Sequence, residues 1–287
     1  MKERRCQRGA TLVEAVIVLP IFVFTVLAIM QAALVYYAKS NLNYATYEAA
    51  RAGSVNSASV GAVTTGLSKG LIPYYGGGRT EKELLASSQK VAEDLAEAPA
   101  RIEILSPTQE SFDDYNSPIA QAAHKTSEPV IPNVGLDELN CPRDVPSCNA
   151  DPATNKSGQT LLDANLLKLR ITYGIPKSKQ MPMVGHFYTW ALDTMGAGAG
   201  DPFKQSLLDA GRIPVVTHTV LRMQSDAIRN ASMVSSPGPG NGGEPEDPGP
   251  PHAGNPLPTC PWWDPACLSC PDGNDSPHCK PDTCHDG

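Results

Sequence analysis

Arg8-Gly9-Ala10-Thr11-Leu12-Val13-Glu14-Ala15 opens an uncharged run that continues to Ala38, and Lys2, Arg4, Arg5 and Arg8 stand in front of it. As a helix, the 24 residues from Ala15 to Ala38 rise about 36 Å, enough to cross a hydrocarbon core of about 30 Å. The segment 15–38 therefore reads as a membrane span. Basic flanks stay on the cytoplasmic side, so the N-terminus is expected inside and everything beyond residue 39 outside. A secretory signal peptide has a shorter apolar core, of about 7 to 15 residues, with its small-residue cleavage site after it. Here the small residue, Gly9, comes first. Glu14 sits at the mouth of the span, where an unpaired carboxylate is costly and implies a partner.

Gly9 with Glu14 five positions on, followed by an apolar helix containing Leu19-Pro20, resembles the class III signal of type IV pilins and pseudopilins. Together with Tyr47-Glu48-Ala49-Ala50-Arg51-Ala52, the wording is most similar to the TadE family, minor pseudopilins of the tight-adherence (Flp-type) pilus system. The likeness covers residues 4–55, with a weaker echo at Arg212 to Met223. The resemblance implies a leader, residues 1–9, removed by a prepilin peptidase between Gly9 and Ala10. It further implies that the new amine of Ala10 lies near Glu14 of the same or a neighbouring subunit, so that each compensates a charge costly in a dry setting. The implied partners are that peptidase, the major pilin, a sister minor pseudopilin, the inner-membrane platform with its ATPase, and a secretin. A single-pass inner-membrane protein with a periplasmic or extracellular, pilus-associated domain is the implied location. A plain anchor with a coincidental Gly9/Glu14 spacing is the competing reading.

Pro20 removes a helix hydrogen bond, but membrane helices tolerate this, so it reads as a kink rather than a break. Helical character continues past the span, with Leu42, Ala45, Ala49 and Ala52 forming a small-residue stripe suited to close packing within or between subunits. Gly53 is a plausible stop. One long helix over 10–53 is expected. An exported domain over 54–234 is long enough for a real core. Within it, Thr80-Glu81-Lys82-Glu83 is a capping box that predicts a helix ending near Pro99. Arg101 to Ile104, Leu167 to Tyr173 and Val215 to Leu221 read as strands. The fold class is α+β: a transmembrane helix, then a pilin-like domain with an antiparallel sheet, then a Pro/Gly/Cys-rich tail. Residues 106–160, with Pro and Asn clusters and little periodicity, are expected to be loop. The stripe Met183, Val184, Phe187, Trp190, Ala191 and Met195 reads as core, the alternative being an exposed patch for a partner or the membrane surface.

From Ser235 onward the chain holds 13 of its 27 prolines and five of its eight cysteines. Residues 235–259 read as a hydrated linker. In 260–287, Cys260, Cys267, Cys270, Cys279 and Cys284 crowd around Trp262-Trp263, in a segment too short to fold without covalent staples. Export favours disulfides over a metal site, although Cys267-x2-Cys270 beside His278 and His285 has ligand-like spacing. Cys141 and Cys148 are candidates to close a small loop of their own, and the connectivity of the tail is not readable from spacing. Cys6, on the cytoplasmic side, reads as an incidental thiol.

Removing residues 1–9 takes four of 23 basic and one of 30 acidic residues and leaves a formal charge of −10. That balance offers no basic patch for nucleic acid. No hydrolase, zinc-protease or phosphate-loop motif occurs. Gly196 to Gly200 reads as a turn and His218 as a satisfied strand histidine. Neither enzyme activity, cofactor nor resident metal is expected. The expected function is that of a minor pseudopilin active in pilus assembly or priming and in surface adhesion. The alternative is a membrane-tethered binding module, adhesin-like, that uses the stapled tail.

Overall fold

Helix α1 (Ala10–Val55) runs unbroken for 46 residues and passes through Pro20 without interruption. The computed structural model describes residues 10–134 and 141–235. At 1.5 Å per residue α1 is about 69 Å long. Its two halves differ in their surroundings. Val16 to Phe24 stand open, whereas Ala38, Leu42, Ala45, Ala49 and Ala50 are buried. The helix continues two residues past Gly53, the stop expected from sequence.

The chain then reverses through Ser57 and Ala58, both with positive φ, while the amides of Asn56 and Ala58 bond to the Gly53 carbonyl. Helix α2 (Val60–Leu71) packs back along α1. A β-carbon on Gly70 would lie 2.5 Å from Ala45 Cα, and one on Gly66 would lie 2.8 Å from Ala49 Cα. Small residues four apart on both helices thus bring the backbones together, the geometry that a small-xxx-small stripe permits. The stripe read from sequence is spent inside the chain.

A 3-10 turn (Ile72–Tyr75) leads to α3 (Glu81–Glu97), which opens on the expected capping box: Thr80 Oγ1 accepts from the Glu83 amide, and the Glu83 carboxylate accepts from the Thr80 amide. In chain order there follow β1 (Arg101–Ser106), α4 (Gln109–Tyr115), α5 (Pro118–His124), β2 (Val130–Ile131), α6 (Leu161–Ala164), β3 (Leu166–Ile175), α7 (Val184–Thr194), α8 (Pro202–Asp209), β4 (Ile213–Arg222) and β5 (Ala227–Ile228). The main sheet is antiparallel in the order β1-β3-β4, and β2 pairs with β5. The three strands read from sequence are these three, and the fold is α+β.

Side-chain alternation puts Leu167, Leu169, Ile171 and Tyr173 of β3 on the buried face, joined by Val215 and Thr217 of β4. α1 lies against this face, and Thr46 Oγ1 meets Thr217 Oγ1 at 2.6 Å. On the other face Arg170 grips Glu103 in a two-pronged pair, Nε to Oε2 at 2.8 Å and Nη2 to Oε1 at 3.1 Å.

Two expectations need correction. The stretch 106–160, expected to be loop, holds α4, α5 and β2, and delivers Phe112 and Tyr115 to the core fully buried. Its helices are too short to show periodicity, and hydroxyl caps start them: Thr108 with Ser111, then Ser117 accepting from the Ala120 amide. His218, expected to be satisfied within its strand, is exposed opposite Arg170. Cys141 and Cys148 form a disulfide. Inside that loop the Asp144 carboxylate accepts from Ser117 Oγ (2.7 Å) and the Ile119 amide (3.0 Å), fastening the loop to the start of α5. Desolvation would raise this carboxylate, but those two bonds together with one from its own amide outweigh it and hold it below the usual range.

Candidate functional site

The residues singled out for processing and assembly lie at the start of α1. Gly9 is outside the described residues, Ala10 is the first residue of the helix, and Glu14 is exposed one turn on. Among the described residues Glu14 has no hydrogen-bond or ion-pair partner. α1, over Val16–Val55, is long and apolar enough to cross a membrane, and little of its apolar stretch is covered by the rest of the chain. Isolated in water such a surface is unfavourable by about 25 cal/mol for each Å² of apolar area. It therefore demands lipid or protein around it.

Towards its C-terminal end this open surface meets α7. Phe187 stands edge-on to Phe24, ring centres 5.4 Å apart, and Trp190 stacks obliquely on Phe187 at 5.5 Å. Gln31 is where α1 first becomes fully buried among the described side chains. It is 1 % exposed, its Oε1 accepts from the Met181 amide at 2.8 Å, and its Nε2 has no partner. The stripe expected to be core is mostly open, with Met183 84 %, Phe187 50 %, Trp190 60 % and Met195 76 % exposed. Val184 is buried and Ala191 half-buried. Periodicity reported an amphipathic helix correctly, but it could not report that the apolar face is the outward one.

Sequence reading gave no hint of a second polar feature. Asp94 of α3, almost wholly buried, accepts from Tyr173 Oη at 2.6 Å and from Arg212 Nη1 at 2.8 Å. Tyr173 has one proton and gives it to Asp94, so the 2.8 Å contact with Tyr75 has Tyr75 as donor. Burial, then the bond to Asp94, pushes the Tyr173 phenol far up. Burial alone would lower the Arg212 guanidinium, but Asp94 and Glu97 reverse the sign. Beside this network lies an open cleft of about 410 Å³ whose wall includes Lys90, Glu93 and Lys179. The polar atoms of the network bond mainly to one another, tying α3 to β3 and to the start of β4. The arrangement is a structural clasp, with no nucleophile held by a free base.

Among the described residues no cluster of three His, Cys, Asp or Glu is placed to hold a metal ion. The glycines 196–200 form the turn between α7 and α8, with positive φ at Gly196 and Gly200. Asp201 caps α8 through the Phe203 and Lys204 amides and takes the Arg101 fork at 2.8 and 2.6 Å. The Arg101 fork is the main reason its carboxyl lies well below the usual range. Cys260, Cys267, Cys270, Cys279 and Cys284, with the rest of 236–287, lie outside the described residues.

Residues 9–51 match the family described as TadE-like protein. The match runs from Gly9 through the apolar half of α1 to the buried stripe, and it leaves out the sheet and the echo near Arg212. No curated protein and no solved structure matches the chain.

Proposed function

We propose, from the TadE-like character of residues 9–51, that this pilus-associated chain is a minor pseudopilin of a tight-adherence (Flp-type) pilus. It enters the inner membrane with its N-terminus cytoplasmic, is cut between Gly9 and Ala10 by a prepilin peptidase, and takes part in assembly or priming and in surface adhesion. The observation that carries this reading is one continuous helix whose first half is bare and apolar while its second half is the spine of a folded domain. Such a shape anchors the subunit first and later offers the same surface to neighbouring helices. Ala10 and Glu14 are four residues apart, about 6 Å along the axis and on one face. An amine freed at Ala10 is thus in reach of the Glu14 carboxylate of its own chain or of a neighbour. The domain over α2–β5 contributes a rigid body, and its partners are the peptidase, the major pilin, a sister pseudopilin, the platform with its ATPase, and the secretin.

The test is the mass of the protein extracted from membranes, read with and without the peptidase, beside piliation of a Glu14→Gln strain. Loss of residues 1–9 only when the peptidase is present, with piliation lost in the variant, is the expected result. An intact precursor in cells with active peptidase, or normal filaments from Glu14→Gln, overturns the reading.

A further inference from the structure

We propose that α7 lies in the outer face of the membrane, its Met183–Phe187–Trp190 stripe inserted among the lipids, and that Gln31 marks the outer edge of the hydrocarbon. The proposal deepens the reading of α1 as a membrane span and rests on it.

The argument begins with depth. α1 first becomes fully buried at Gln31, where the Met181 amide is bonded to the side chain. From there the chain moves back towards the N-terminus of α1, since Phe187 meets Phe24. Seven residues of helix separate Gln31 from Phe24, about 10 Å along the axis. That is the depth, about 5 to 10 Å, to which an amphipathic interfacial helix buries its apolar face. Counting back from Gln31, a hydrocarbon thickness of about 30 Å uses about 20 residues and ends at Thr11. Thr11 is the third residue after Arg8, the last of the basic cluster. Both edges are then accounted for: cations at the inner headgroups, α7 at the outer ones. A span placed at 15–38 instead would sink α7 well below the outer surface, together with the exposed His186 and Asp193. The membrane thus sits a few residues closer to the N-terminus than the uncharged run alone indicates.

Composition and bonding agree with that level. The open side chains of the stripe are two aromatics and a methionine, continuous with the bare apolar face of α1 through the Phe24–Phe187–Trp190 ladder. Tryptophan at the boundary of a span is the common interfacial anchor. Three polar side chains of the helix are answered locally. Thr189 Oγ1 donates to the Gly185 or His186 carbonyl, Thr194 Oγ1 to the Trp190 carbonyl, and Asp193 accepts from Gln205. Both threonine hydroxyls of the helix are therefore bonded as it enters the boundary. Lipid is the occupant because any surface joined to the bare half of α1 at this level meets the bilayer before it meets another subunit.

The experiment uses the full chain reconstituted in phosphatidylcholine/phosphatidylglycerol vesicles. Trp262→Phe and Trp263→Phe leave Trp190 as the sole tryptophan. Its emission should be blue-shifted, protected from aqueous iodide, and quenched more by bromines placed near the headgroup than by bromines near the acyl-chain end. A companion chain carries Ile21→Trp, at mid-span, with all three native tryptophans changed to Phe, and should be quenched most by the deep bromines. Trp190 open to iodide and untouched by brominated lipid, with the Ile21→Trp chain still quenched, overturns the placement of α7 and leaves the span standing. Loss of lipid quenching in both chains overturns the span as well. Protection of Trp190 from iodide without any lipid quenching assigns the face to a second copy of the chain and equally refutes the proposal.

Discussion

Changing Asp94 to Ala removes the anion that holds Arg212 and Tyr173. Arg212 is buried, and after the substitution its contacts are the Gly174 carbonyl at 3.2 Å and Glu97 at 3.1 Å, the latter mostly in solvent. Tyr173 keeps only Tyr75. Breaking a buried pair by deleting one partner costs about 3–5 kcal/mol, because the other charge stays in place uncompensated. For a domain of this size, at about 2–4 °C per kcal/mol, the melting temperature should fall by about 6–20 °C. Near-ultraviolet circular dichroism of the full chain in detergent micelles is the assay, since Tyr74, Tyr75 and Tyr173 pack beside the lesion and α1 stays helical in the micelle. Asp94→Leu combined with Arg212→Met should recover most of the loss, because an apolar pair of similar volume removes both charges together. If Asp94→Ala costs less than about 1 kcal/mol, the range of solvent-exposed pairs, the clasp reasoning is wrong.

Gly70→Ala forces a methyl group onto the Ala45 backbone and should cost about 1–3 kcal/mol as the two helices part, read from urea midpoints; an unchanged midpoint would deny the close approach. Asp201 is held low by Arg101, so its contribution to stability is present above the ordinary carboxylate pKa of about 4 and is lost as pH falls further. Asp201→Asn should therefore flatten the acid limb of the stability curve. At the other extreme, burial raises Tyr115 to about 12. Its contribution holds below the ordinary phenol pKa of about 10 and disappears as pH climbs through the folded value, a loss that Tyr115→Phe should remove from midpoints measured across that window. Opening the Cys141–Cys148 loop with Cys141→Ser should cost at most about 2.5 kcal/mol by loop entropy and raise protease cleavage near Ser117, where Asp144 no longer caps α5. Deleting residues 236–287 should spare pilus assembly and lower attachment, whereas lost piliation would tie the tail to assembly.

What the sequence made legible was whatever repeats or starts abruptly. The uncharged run fixed α1, alternation fixed the three strands, and Thr80 with Glu83 fixed the first turn of α3. Elements with fewer residues than two periods stayed hidden. α4 and α5, seven residues each, owe their order to Thr108 and Ser117 and to tertiary burial of Phe112 and Tyr115. α2 was obscured by Gly61, Gly66 and Gly70, residues that weaken a helix in isolation, of which Gly66 and Gly70 are required here by the neighbouring backbone. The stripe around Phe187 was legible as a helix face but misread as core, because a hydrophobic pattern records which side is apolar and not which medium it meets. Of the processing residues, Gly9 falls outside the described chain, and the reading of Glu14 rests on its spacing alone.

The Thr46–Thr217 bond joins residues 171 positions apart. On the proposed topology the N-terminus stays inside and the chain beyond the span emerges in sequence order, so the side of α1 that carries Thr46 emerges early, while its lid of β4 arrives only when the polypeptide has passed residue 222. During that interval the sheet-facing side of α1 lies uncovered, and each stall in translocation prolongs it. Folding of this subunit is thus timed by the last strand of its sheet, and a truncation just short of β4 should leave an aggregation-prone rod rather than a smaller domain.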